Sequence, residues 1–206
     1  MSQLNVNTIG ARTGSTISVA SGHLLDNNFG LEKLMSSTAS SDDILVLDGF
    51  VDTSKYSQYK IVYNDLKAAT QGQTLYQGFR QGGASGSNLD GTIRGGYYFT
   101  KLNQAYSGTD SNKSYNNTGL VTIDVGSDSS SNEAFSGEST FYPTTDGITY
   151  ITHRSLVNRD GGDMQAFDVY LGMETSTLAT GLRYHFGSGA IASGNFYVYG
   201  VRKWVL

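Results

Sequence analysis

Apolar and polar residues alternate along most of this chain in short runs, and a glycine-bearing turn closes nearly every run. Nothing else in the sequence constrains the fold as tightly. A period of two puts successive side chains on opposite faces of a strand, so each run reads as a strand with one buried face. Tyr59, Ile61 and Tyr63 alternate with Lys60, Val62 and Asn64. Phe167, Val169, Leu171 and Met173 form the cleanest stripe, set against Asp168, Tyr170 and Gly172. Leu182, Tyr184 and Phe186 oppose Arg183 and His185, and Phe196, Val198 and Gly200 oppose Tyr197, Tyr199 and Val201. Leu75, Gln77 and Phe79 continue the theme, as do Val121, Ile123 and Val125, and Ile148 and Tyr150 alternate with Thr149 and Ile151. Ile44-Leu45-Val46-Leu47 is a continuous apolar run, which suits a strand buried on both faces.

Gly82-Gly83, Asp90-Gly91, Ser107-Gly108, Asp146-Gly147, Asp160-Gly161-Gly162 and Ser193-Gly194-Asn195 supply the turns. Pro143, the one proline, falls just after a strand rather than inside one. The chain carries 26 Gly and 14 Tyr in 206 residues, and no helical stretch separates the alternating runs. Roughly ten evenly spaced strands predict an all-β fold, an antiparallel β-sandwich of jelly-roll type over residues 42–206.

Residues 1–41 read differently, as an N-terminal anchor arm and linker. Leu4 and Val6 alternate with Asn5 and Asn7, Ile9 precedes the loop Gly10–Gly14, and Thr16-Ile17-Ser18-Val19 makes a second short strand. Two such strands alone bury almost nothing. A β arm of this kind needs another chain, with Leu4, Val6, Ile9, Ile17 and Val19 as its oligomer or anchor face. Leu24–Met35 reads as irregular with about one helical turn, because Gly30 interrupts its spacing. Ser36–Ser41 reads as a flexible small-polar linker.

Charge and composition exclude several functions. The net charge is −4 and the isoelectric point near 5.2, whereas a nucleic-acid binder needs a basic footprint. No run of about 18 apolar residues occurs, so no helical membrane insertion is expected. The first residues have neither a basic nor an apolar segment of the signal-peptide kind. With no cysteine there is no disulfide framework, thiolate metal site or cysteine nucleophile.

A search for chemistry returns little. No Gly-x-Ser-x-Gly elbow exists. His23, His153 and His185 have no nucleophile motif nearby, and His153 reads as a residue at a strand end. Asn158, Asp160 and Asp163 have loop spacing but lack the calcium-loop pattern. The glycine-rich Gly187–Gly194 opens no helix and so lacks the dipole that would hold a phosphate. No enzymatic activity, metal or cofactor is expected. Surface recognition remains. Residues 103–118 read as a long polar loop, where Tyr106 and Tyr115 lie among Asp110, Asn112 and Asn116; Arg159 and Asp163 lie in a shorter one. Tyrosine beside amides and carboxylates suits a sugar ring or a protein surface.

Three segments resemble a known family. Met1–Gly14, with its short strand, then Ile9, Gly10, Ala11 and Arg12-Thr13-Gly14, is similar to the start of marine bacteriophage tail-fibre proteins. Gly181–Val201 also resembles them, with an aromatic strand, the turn Ser188-Gly189-Ala190-Ile191-Ala192-Ser193-Gly194 and a strand ending Tyr199-Gly200-Val201. Asp48–Tyr63 resembles the first strands of the same domain. The resemblance implies a virion protein, made in the host cytoplasm, whose N-terminal arm joins other tail or capsid proteins and whose C-terminal sandwich meets a host surface glycan or receptor, often as a homotrimer. This chain lacks a long shaft between its ends, so a short tail fibre or tail-associated attachment protein is expected; the alternative is a capsid decoration or head-fibre protein, and a glycan-degrading spike is a third.

Overall fold

The computed structural model describes residues 30–89, 91–102, 107–116, 120–124, 134–144, 147–158 and 164–203. In chain order the strands are β1 (Leu31–Ala39), β2 (Leu45–Asp48), β3 (Tyr56–Ala68), β4 (Leu75–Gln81), β5 (Ser87–Leu89), β6 (Thr92–Leu102) and β7 (Ser107–Asn116). They continue as β8 (Leu120–Asp124), β9 (Ala134–Tyr142), β10 (Gly147–Asn158), β11 (Met164–Thr175), β12 (Gly181–Phe186) and β13 (Ile191–Arg202). The described residues contain no α-helix, only a single 3₁₀ turn at Gly83–Ser85.

Two antiparallel sheets result. The larger runs β1-β13-β3-β9-β10-β11-β6-β7, and the smaller runs β2-β12-β4-β5. Strand β4 shares its second edge between two partners: Leu75–Gly78 take β8, and Phe79–Gln81 take β5. The all-β, antiparallel expectation is met.

The alternating stripes explain why the sheets stack. Tyr59, Ile61 and Tyr63 of β3, Phe141 of β9 and Phe196 of β13 all turn inward with almost no exposure. Leu47, Phe79, Leu182 and Tyr184 come to meet them from the smaller sheet. Rings make contact across the gap. Tyr63 lies 6.3 Å from Tyr184, Phe79 6.1 Å from Phe141 and Phe135 5.5 Å from Phe186, all in tilted geometries that suit the ring quadrupoles. Burial of these apolar faces is the main force holding the layers together. In β3 the regular register with β9 breaks between Tyr63 and Leu66. Asp65, at φ +50°, sits in that bulge in the left-handed region, which a short acidic side chain tolerates.

Four local expectations are corrected. Leu31–Ala39, expected to be irregular and then a linker, forms strand β1 along β13. Ser41 and Asp42 are pinned as well, through backbone hydrogen bonds to Ala192 and Ile191. The open edge of β13 recruits this backbone whatever its side chains, and an edge strand needs little apolar content. Ile44–Leu47 is not buried on both faces: Leu45 and Leu47 point inward, whereas Ile44 and Val46 are exposed at 49% and 38%, because β2 is an edge strand with one covered face.

The expected long loop at 103–118 holds a ten-residue strand instead. Ser107–Asn116 pairs along the whole of its length with β6. Its composition looked like loop because an edge ladder is satisfied by backbone groups alone. Finally, His153 lies mid-strand in β10, on the inward face with Thr149, Ile151 and Val157.

Candidate functional site

Of the residues expected to bind a partner, Asp110, Asn112, Tyr115 and Asn116 share one strand, β7, at the edge of the larger sheet. Tyr106, Arg159 and Asp163 lie outside the described residues, as do Leu4, Val6, Ile9, Ile17 and Val19 of the arm. Two other polar groupings emerge from the fold, one inside the sandwich and one on its outer face.

The inner grouping joins both sheets. Ser139 Oγ on β9 lies 2.8 Å from His153 Nδ1 on β10 and 3.3 Å from Gln77 Oε1 on β4. Tyr63 Oη on β3 lies 3.3 Å from His153 Nε2. An amide oxygen only accepts, so the Ser139 hydroxyl donates to Gln77. That leaves His153 Nδ1–H to donate to Ser139 Oγ, and the Tyr63 hydroxyl to donate to the bare Nε2. Burial pushes the His153 imidazole down from its ordinary value near 6.5 to about 3. Burial likewise pushes the Tyr184 phenol upward.

A serine beside an imidazole is the pairing that nucleophilic catalysis uses. In this orientation the imidazole gives its proton to serine instead of taking one. Its depressed basicity also sits far from the neutral range that suits a general base. With Ser139 at 0% and His153 at 3% exposure, the chain of hydrogen bonds links polar groups in the core and ties the two sheets together, while Gln77 Nε2 at its end is buried without a partner.

Gly137 makes room for that chain. A Cβ there would lie 2.8 Å from Tyr63 Oη and 2.7 Å from the Arg154 carbonyl. Gly137→Ala is expected to displace the tyrosine, leave His153 Nε2 without its donor and lower stability by about 1–3 kcal/mol. Urea denaturation measures this, and an unchanged midpoint contradicts it.

The outer grouping follows from the opposite face of the same strands. Strand register sets Tyr142 beside Tyr150, Thr152 between Thr140 and Tyr170, and Arg154 between Glu138 and Asp168. Arg154 Nε donates to Asp168 Oδ1 at 2.7 Å, and Lys60 Nζ on β3 approaches Glu138 Oε2 at 2.7 Å. The hydrogen bond to Asp168, then its charge, holds the Arg154 guanidinium above its ordinary range. Arg154 remains 71% exposed, and pairs this open contribute little to stability, about 0–1 kcal/mol.

Tyr150, Tyr170 and Leu156 are half exposed, at 52%, 54% and 50%. The ring of Tyr150 leans toward Gly172, where a Cβ would lie 3.5 Å from its Cδ1. Two depressions flank the Glu138–Arg154 row. One, of about 190 Å³, is lined by Thr140, Thr152, Asp168 and Tyr170 together with that row. The other, of about 350 Å³, lies toward Val62, Asn64, Ser136 and Leu156. The face thus combines aromatic rings, hydroxyls and ionic groups over concave ground, which is what recognition of a polar ligand requires. Among the described residues no cluster of His, Asp or Glu could hold a metal ion.

The sequence stripes placed Asp168 and Tyr170 together. Glu138 and Arg154 were missed as partners because their pairing depends on hairpin register. The signal was present: Glu138 and Arg154 stand eight residues either side of Asp146, and Ser139 and His153 seven, about the Asp146-Gly147 turn. No protein-family model, curated protein or solved structure matches this chain.

Proposed function

We propose that this chain is a non-catalytic attachment protein of a bacteriophage particle, a short tail fibre or tail-associated receptor-binding module. The observation that carries the reading is the outer face of the larger sheet. A sandwich tied through its core presents half-exposed tyrosines around surface ion pairs that do little for stability. Recognition on a rigid scaffold loses little entropy on binding. The resemblance of Met1–Gly14 and Gly181–Val201 to tail-fibre segments supports the location. The arm carrying Leu4, Val6, Ile9, Ile17 and Val19 would join the chain to its copies in a homotrimer or to other virion proteins, and three copies would raise avidity without new contacts.

Immunogold labelling of the virion, together with binding of the purified full chain to host cells, tests this. Gold at the tail and saturable cell binding are expected. Gold over the head without cell binding would establish the capsid-decoration role instead. Saturable release of reducing sugar from host polysaccharide would overturn the non-catalytic reading.

A further inference from the structure

We infer that the outer face of strands β9, β10 and β11 binds a neutral oligosaccharide, with one sugar ring on Tyr170 and the chain continuing past Arg154 toward Leu156. This deepens the attachment reading by naming the class of its ligand.

Charge sets the ligand class. Lys60 and Arg154 are matched by Glu138 and Asp168, and each cation already has its carboxylate within 2.7 Å. No charge among these four is left over to attract an anion or a cation. What the four still offer is hydrogen-bonding capacity. A carboxylate accepts through two oxygens, and a guanidinium keeps further N–H donors after its Nε is used. Adjacent hydroxyls of a sugar can donate to Asp168 or Glu138 while accepting from Arg154, and such charge-assisted bonds are the strong ones. The Thr140 and Thr152 hydroxyls, side by side in register, add donors and acceptors on the floor.

Shape sets the ligand's size and path. The first depression, about 190 Å³, is small beside the 300 Å³ or so of a typical small-molecule pocket and suits a single ring. Tyr170, 54% exposed beside it, offers a face to the apolar side of a pyranose. The second depression begins across the Glu138–Arg154 row and has apolar walls in Val62 and Leu156. Successive outward side chains on a strand stand about 7 Å apart, so the two depressions can serve neighbouring sugar units.

The test applies the full chain to an array of immobilised neutral, uronic-acid and sulfated oligosaccharides. Binding confined to neutral members is expected. Tyr170→Ala and Asp168→Asn should each weaken it about tenfold, the equivalent of one lost ring or charge-assisted contact, with the melting temperature unchanged. Val46→Ser, on the outer face of the smaller sheet, should leave binding as it was. Failure to bind any neutral oligosaccharide, or equal binding by Tyr170→Ala, overturns the inference. So does a Tyr170→Ala variant that falls from oligomer to monomer in sedimentation, which would make this face a contact between copies. Host-cell binding that survives Tyr170→Ala overturns the inference and leaves the attachment reading standing. Array binding with no host-cell binding sustains the inference and removes the attachment reading.

Discussion

Lowering the pH from 7 to 5 is expected to destabilise this protein by about 2 kcal/mol through one buried imidazole. Inside the sandwich His153 takes up a proton only near pH 3, whereas in the unfolded chain it does so near its ordinary 6.5. Between these values the unfolded state binds more protons than the native state. Stability therefore falls as the pH falls, by about 1.4 kcal/mol per unit, and the loss reaches about 4 kcal/mol at pH 3. Above about pH 7.5 both states are neutral and this contribution is flat.

The window separates His153 from the carboxylates. Hydrogen bonds hold Glu32, through Tyr56 and Lys55, and Asp52, through Ser54, below their ordinary values of 4.5 and 3.8. Their contribution is therefore intact above pH 5 and is lost only under stronger acid. Urea denaturation of the native protein and of His153→Gln at pH 7, 6 and 5 isolates the effect. The variant should start less stable, having lost its bonds to Ser139 and Tyr63, but its stability should fall less with pH. Parallel curves for the two proteins would contradict the assignment.

Asp48→Ala is expected to cost about 2–3 kcal/mol, the loss of charge-assisted hydrogen bonds to a part-buried cation. The Arg80 and Asp48 side chains are only 14% and 9% exposed. Arg80 Nε lies 2.8 and 2.9 Å from the two carboxylate oxygens, and Nη2 lies 2.8 Å from Oδ2. Nη2 also donates to the Gly86 carbonyl, and Nη1 reaches Asn88 Oδ1 at 3.1 Å, so one guanidinium fastens β2, the 3₁₀ turn and β5.

The pair spans a strand that must carry no side chain. Asp48 and Arg80 are the register partners of Gly181 on either side, and a Cβ at Gly181 would lie 2.3 Å from Asp48 Oδ1. Without Asp48, Arg80 keeps its place in the fold and loses its counter-charge. The double variant Asp48→Leu with Arg80→Met should recover most of the loss, because it removes both charges together. A loss below about 1 kcal/mol in Asp48→Ala would show that the pair behaves as an exposed one.

Legibility in the sequence divides along physical lines. The inward stripes of β3, β11, β12 and β13 are visible because alternation is a property of one strand, set by its own residues. Tyr170 and Asp168 could be placed outward for the same reason. Their neighbours Arg154 and Glu138 could not, since that requires the register of β9 against β10. Val46 and Ile44 were misread because an apolar run says nothing about how many of its faces will be covered.

The residues by themselves determined an all-β chain with antiparallel strands joined by glycine turns, since local periodicity and turn chemistry dictate both. Tertiary structure alone decided that Leu31–Ala39 and Ser107–Asn116 are strands. Each lies along an edge, where a neighbour's unpaired backbone groups supply the hydrogen bonds and side-chain pattern counts for little. It also decided which polar residues meet. Gln77, Ser139, His153 and Tyr63 come from four strands of two sheets, and only the packing of those sheets brings their donors and acceptors within reach.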